Sequence, residues 1–133
     1  MNRQFAESVK PMTFIVTRDR AVAKTFYGGV LGFALSSEDN FAAVFDMNGT
    51  MLRISTVPKH AASPHTVLGW EVPDIAAAVR ALSAKGIVFT IYQGFGQDEL
   101  GIWKAPGSNN LVAWFLDPDG NNLSLTQFNH AER

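Results

Sequence analysis

An α+β fold made of two tandem strand–helix–strand–strand–strand modules is predicted by three features of the sequence. Two aspartates, Asp19 and Asp74, stand 55 residues apart, and each precedes a helical stretch; Ala21 with Ala76 and Ala23 with Ala78 keep the same offset. Later, an offset of 71 relates Asp46, Gly49, Leu52 and Ile54 to Asp117, Gly120, Leu123 and Leu125. The difference, about 16 residues, falls in one place, near Gln93–Ser108. A repeat whose two registers agree in order is the signature of a duplicated unit. Module one is expected at about 11–57 and module two at about 65–128, within a single domain of 1–133.

The elements follow in order. Thr13–Thr17 reads as a strand. Asp19 accepts the free N–H groups of a helix over Arg20–Leu31, with Val22, Phe26 and Val30 on its apolar stripe and Gly32 as its stop. Strands follow at Phe33–Leu35, Phe41–Asp46 and Met51–Thr56, the last two joined by a turn at Met47-Asn48-Gly49. The second module opens with Val67–Val72. Asp74 then caps a helix whose stripe is Ile75, Val79 and Leu82, with Lys85 in its last turn and Gly86 ending it. Strands are expected at Ile87–Tyr92, Leu111–Asp117 and Asn122–Gln127. The turn Asp117-Pro118-Asp119-Gly120 is a strong hairpin signal, because Pro fixes φ and Gly supplies positive φ.

Composition narrows the function. The chain has 133 residues, 47% hydrophobic and 17% charged, which excludes disorder. A net charge of -1 argues against nucleic acid and against a membrane surface, both of which select clustered Lys and Arg. Cys is absent, so disulfides, thiolate nucleophiles and Cys-ligated zinc are excluded. The three histidines are His60, His65 and His130. No apolar run approaches a ~20-residue membrane span, and no signal peptide is visible at the start. A cytoplasmic location is expected.

Several segments resemble the vicinal-oxygen-chelate superfamily, which includes glyoxalase I, bleomycin- and fosfomycin-resistance proteins and extradiol dioxygenases. The matching residues are Val16-x-x-Asp19, then Phe26-Tyr27-x-x-Val30-Leu31-Gly32-Phe33, then Glu71-Val72-x-Asp74-Ile75, then Phe115-x-Asp117-Pro118-Asp119-Gly120-Asn121. They cover most of the chain in the family's order. The resemblance implies paired βαβββ modules with curled mixed sheets around a central cavity. It says little about reaction, because this fold hosts lyases, isomerases, dioxygenases and pure binders. In metal-using members, ligands lie on the first and last strand of each module, which here are the positions of Met12, Arg53, Val67 and Ser124. Those residues do not supply the imidazole or carboxylate donors that a divalent metal needs. Neither a metal nor another cofactor is therefore expected.

Strand alternation gives the faces. Leu52, Ile54, Leu123, Leu125, Leu68, Trp70 and Val72 are expected to pack on helices. Met51, Arg53, Ser55, Asn122, Ser124, Thr126, Val67, Gly69 and Glu71 then face the cavity, joined by Met12, Phe14 and Val16 if Ile15 packs inward. Gly69 would open space for a ligand. Trp103, in the extra segment, either docks on its own protein or stacks on a flat ligand. Trp114 lies on a strand whose facing the sequence does not fix. Arg53 either pairs with Glu71 or binds an anion. The expected ligand contacts are Met12, Phe14, Arg53, Gly69, Glu71, Trp103, Trp114 and Ser124, with no catalytic residue assigned.

Two function classes stay open. One is a metal-independent binder of aromatic or antibiotic-like small molecules, similar to bleomycin-resistance proteins. The other is a superfamily enzyme, a lyase or isomerase, with Arg53 stabilising an oxyanion and Glu71 moving a proton. A homodimer is expected, from the resemblance and from apolar segments such as Gly94-Phe95-Gly96 and Gly101-Ile102-Trp103 that read as exposed.

Overall fold

The structure, a computed structural model, describes residues 3–129. His130 lies outside the described residues. The chain divides into two compact units, one up to His60 and one from Ala61 onward. Each carries a four-stranded mixed sheet in strand–helix–strand–strand–strand order.

Unit 1 begins with a short helix, α1 (Gln4–Ser8), that the sequence reading did not anticipate; it buries no residue. β1 (Met12–Thr17), α2 (Arg20–Lys24), β2 (Ala34–Glu38), β3 (Ala42–Met47) and β4 (Thr50–Thr56) follow. The sheet order is β1-β4-β3-β2, with β1 and β4 parallel and the other pairs antiparallel. Ile15, Leu52, Ile54, Ala43 and Phe45 share one face and are all at most 3% exposed. The turn between β3 and β4 holds Asn48 and Gly49 at φ 54° and 97°, the paired positive φ of a tight hairpin. Asp46 Oδ1 accepts the Gly49 N–H at 2.8 Å and closes it.

Helix α2 departs from its expected form. Asp19 caps it as predicted, its Oδ1 accepting from Ala21 N and Val22 N. After Lys24, however, the backbone widens into a π-helical segment over Thr25–Val30. The buried residues are Ala23, Phe26 and Tyr27, while Val22 is 45% exposed and off the stripe. The π-turn adds a residue to the turn and so rotates the face. It also brings Gly28 close to the sheet, where a Cβ would lie 3.2 Å from Phe45 Cε2.

Unit 2 contains β5 (Thr66–Glu71), α3 (Ile75–Ser83), β6 (Trp103–Lys104), β7 (Leu111–Leu116) and β8 (Asn122–Gln127), ordered β5-β8-β7-β6. Here β5 and β8 are parallel, and the others antiparallel. Asp74 caps α3 through Ala77 N, and Ile75 and Val79 are each 1% exposed. The helix stops at Ser83, so Lys85 falls in the closing turn, where Gly86 N donates to Ser83 O and Ile87 N to Leu82 O. α3 lies against β7 and β8, over Phe115, Ala113, Leu123 and Leu125. Trp70 stacks on Phe115 at 6.4 Å, on the helix side as expected. In the Asp117–Gly120 turn, the buried Asp117 carboxylate accepts from Asp119 N, Asn121 N and Asn121 Nδ2.

The expected strand at Ile87–Tyr92 is not formed. Phe89 makes an isolated bridge to Phe115, and Thr90 N donates to Trp114 O at 2.7 Å. The Tyr92 N–H is then taken by the Gln97 side chain instead of by β7. The edge position at the other end of β7 is filled by β6. The extra residues are thus spent on splitting one edge strand into two pieces with a tied loop between them.

Candidate functional site

The register of unit 2 determines which side chains share a face. Trp103 stands opposite Val112, Val112 opposite Thr126, and Thr126 opposite Glu71. One step along, Trp114 stands opposite Ser124, and Ser124 opposite Gly69. Residues two apart on a strand point the same way. Gly69, Glu71, Trp103, Trp114 and Ser124 therefore share the sheet face away from α3, and the facing of Trp114 is settled.

Four rings gather on that face. Trp103 and Trp114 lie 5.8 Å apart between centroids, and Phe95 contacts both at 5.7 and 5.9 Å. Tyr92 meets Trp114 edge-on at 5.2 Å and Phe95 at 5.2 Å. Trp103, Trp114 and Tyr92 are half-buried, and Phe95 is 45% exposed. Tyr92 and Phe95 were missed by the sequence reading, although the Gly-Phe-Gly spacing marks a ring on a tight loop.

The loop that brings Phe95 and Trp103 to the sheet is pinned from within. Gln97 Oε1 accepts the Tyr92 N–H at 2.7 Å, while its Nε2 donates to Thr90 O at 2.9 Å and Gly101 O at 2.8 Å. Asp98 Oδ1 accepts from Leu100 N and Ile102 N, both at 2.9 Å. Gly101 and Ile102 are buried, which corrects the expectation that Gly101-Ile102-Trp103 is an exposed segment.

Gly69 also differs from expectation. A Cβ there would lie 2.5 Å from Ser124 Oγ, so the serine hydroxyl already occupies the space that the glycine leaves. Two residues before Ser124, Asn122 lies on the same face and is 5% exposed. Its Nδ2 donates to Pro64 O at 2.9 Å and to Tyr92 Oη at 3.1 Å.

The remaining expected contacts lie in unit 1, where Phe14 stands opposite Arg53 and Met12 opposite Met51. Met12 and Phe14 are 46% and 61% exposed. A depression of about 600 Å³ on this unit is lined by Lys10, Met12, Val44, Asp46 and Met51. Arg53 forms an ion pair with Asp39 at 3.6 Å. The Asp39 carboxyl is held below its ordinary range, first by the N–H groups of Phe41 and Ala42 and then by the Arg53 and Arg20 charges. Glu38 is lowered too, chiefly by its 2.7 Å hydrogen bond from Lys24 Nζ. Arg53 and Glu71 fall in different units, so the enzymatic reading built on that pair draws no support from either unit's geometry.

The positions at which the resemblance places metal ligands hold a thioether (Met12), a guanidinium (Arg53), an alkyl group (Val67) and a hydroxyl (Ser124). That donor set does not fit a divalent metal. Among the described residues, no group of three or more His, Asp or Glu is placed to hold one. His65, the histidine nearest to those positions, is exposed. No helix among the described residues is long and apolar enough to cross a membrane.

Solved structures of this fold align over most of the chain. TnmS3, an antibiotic binding protein from Streptomyces sp. CB03234, superposes with a TM-score of 0.68 at 21% identity, covering 92% of this chain and 98% of its own. A glyoxalase/bleomycin resistance protein/dioxygenase from Alicyclobacillus acidocaldarius gives 0.70 at 17% identity, covering 94% and 95%. Lactoylglutathione lyase from Agrobacterium tumefaciens gives 0.68 at 16% identity, covering 90% and 93%. At these identities the likeness establishes the fold alone. No curated protein matches the sequence. The sequence pattern of the Glyoxalase/Bleomycin resistance protein/Dioxygenase superfamily, however, matches residues 10–125, and with two strand–helix–strand–strand–strand units in tandem the chain belongs to that superfamily.

Proposed function

We propose that the chain is a metal-independent binding protein for flat, largely apolar small molecules of the aromatic or antibiotic-like kind. The observation that carries this reading is the cluster of Tyr92, Phe95, Trp103 and Trp114 on one sheet face, beside the polar side chains of Ser124, Asn122 and Glu71. An aromatic wall with a few placed polar groups is the usual make-up of a small-molecule site. Partly exposed Trp and Phe rings offer faces on which a planar ligand stacks. Gly69 contributes by giving room to Ser124. The antibiotic-binding neighbour with the same fold supports the ligand class.

Met12, Phe14 and Arg53 belong to a second surface, on unit 1, which we propose pairs with another copy of the chain. Phe14, Met12 and Met51 are exposed on one sheet face there, and cyclic pairing is the commonest way to cover such a patch. Light scattering at low micromolar concentration should give twice the 14.5 kDa chain mass; a monomer rejects the pairing.

Binding is tested by titrating polyaromatic compounds and antibiotics while following Trp fluorescence and the melting temperature. At least one compound should quench and stabilise, and Trp114→Leu should abolish both effects. A panel that leaves both signals unchanged would refute the binder. Equimolar Zn, Fe, Ni or Mn that is required for binding would refute its metal independence.

A further inference from the structure

The amide of Asn122 is incompletely satisfied. It sits on the aromatic face, next to the phenol of Tyr92, and its Oδ1 is buried with no hydrogen-bond partner among the described residues. The orientation of the amide is fixed by chemistry. Nδ2 donates to Pro64 O, which can only accept, so a flipped amide would set two acceptors against each other. Both Nδ2 hydrogens are spent, on Pro64 O and Tyr92 Oη. The Tyr92 hydroxyl accepts from Nδ2, and its own proton has no acceptor among the described residues. An unfilled acceptor and an unfilled donor thus sit at the two ends of one short contact, Asn122 to Tyr92, on the sheet face that carries Phe95, Trp103 and Trp114. Buried polar atoms are paired in the great majority of folded proteins, and an exception calls for a cause.

We propose that Asn122 and Tyr92 are the specificity-determining pair of the aromatic site, selecting a planar ring that carries a donor and an acceptor on adjacent atoms, as in a lactam or an aromatic carboxamide. Asn122 Oδ1 accepts the ligand N–H, and the Tyr92 hydroxyl donates to the ligand carbonyl, while Trp114 and Phe95 hold the ring. Oδ1 is closed to water in the free fold. Tyr92, half-buried and tied to Asn122 by a single side-chain bond, is the group whose rotation admits the ligand edge. This rests on the binding reading above and adds to it the identity of the polar selector. A buried acceptor left unpaired by the wrong ligand is a strong basis for discrimination.

The test uses a matched pair, isoquinolin-1(2H)-one and its N-methyl derivative, titrated against the intact chain by Trp fluorescence, with naphthalene as the ring alone. The lactam should bind at least about tenfold more tightly than the N-methyl compound. In Asn122→Leu the two should differ by less than about twofold, because no acceptor remains to reward the N–H. In Tyr92→Phe both should weaken by a common factor, because both keep the carbonyl, and their ratio should hold. That variant and the wild-type ratio stand even if Asn122→Leu fails to fold, which near-UV circular dichroism reports. Equal affinities in the wild type overturn the selector and leave the binder intact. A ratio that collapses in Tyr92→Phe overturns the role of Asn122. A lactam complex in which Oδ1 bonds only an internal water does so too. Failure of all three probes to bind overturns the selector and the aromatic site together.

Discussion

Replacing Gln97 by alanine tests whether the aromatic wall is held in place by three hydrogen bonds of one side chain. The bonds measure 2.7, 2.9 and 2.8 Å and close the loop on Tyr92, Thr90 and Gly101. Each intramolecular hydrogen bond is worth about 1 kcal/mol net. Against the three together stands the rotamer entropy that the released glutamine regains, about 1.5 kcal/mol. The Tyr92 N–H and two carbonyls are then left to water in a half-buried place, which costs about a further 0.5–1 kcal/mol. The net loss is about 2 kcal/mol, or about 8 °C in melting temperature for a chain of this size. Thermal melting should be read together with near-UV circular dichroism, which reports the packing of Tyr92, Phe95, Trp103 and Trp114. If the loop detaches locally, the near-UV signal falls more than the melting temperature; if the unit unfolds as one, they fall together. Gln97→Glu should be worse than alanine at pH 7, because a carboxylate keeps the bond from Tyr92 N but faces two carbonyl oxygens. Its folded pKa is raised, so the deficit shrinks as pH falls through that pKa and one oxygen becomes a donor. A melting temperature within about 1 °C of wild type in Gln97→Ala, with an unchanged near-UV spectrum, would refute the pinning argument.

Three further outcomes are expected. Val79→Ala should cost about 2 kcal/mol and Val22→Ala within about 0.5 kcal/mol by denaturant unfolding, since the same deletion is made at a 1% exposed and a 45% exposed helix position; equal costs would reject the outward facing of Val22 on α2. Glu38 and Asp39 have lowered folded pKa values, so their contribution is present above the unfolded carboxylate range and is lost as pH falls through the folded values. Glu38→Gln should therefore flatten the acid limb of the stability curve, and an unchanged limb would show that its bond to Lys24 carries no linkage. Arg53→Ala should change stability by less than about 1 kcal/mol, because its pair with Asp39 is partly exposed at 3.6 Å; a larger loss would mean that the guanidinium holds more than that carboxylate.

The features legible in the sequence are those fixed by neighbours in the chain. Asp19 and Asp74 cap as read because a cap needs only the next two or three N–H groups, and the Asp117–Gly120 turn closes within five residues. Alternation placed Leu52, Ile54, Leu123 and Leu125 on the helix side for the same reason. The failures share the opposite cause. The π-turn goes with a close approach between Gly28 and Phe45, on a strand that the local pattern of Thr25–Val30 does not contain. Ile87–Tyr92 has strand composition, but a strand needs a partner along its length. Gln97, five residues beyond Tyr92, captures the N–H that would have continued the ladder. The facing of Trp114 follows from Phe115 and Leu123 standing opposite each other on the helix side, a deduction that requires the register and not only the residues. Alternation puts Asn122 on the correct face, but it carries no sign of the role proposed for it. Its significance depends on Pro64, 58 residues away, and on Tyr92, 30 residues away, jointly consuming its two hydrogens and leaving the oxygen bare. A polar group left unpaired on an aromatic surface is a property of three distant segments at once. In this chain the proposed binding chemistry therefore emerges at the level of tertiary register, while the scaffold that would present it is already written in its caps, turns and alternation.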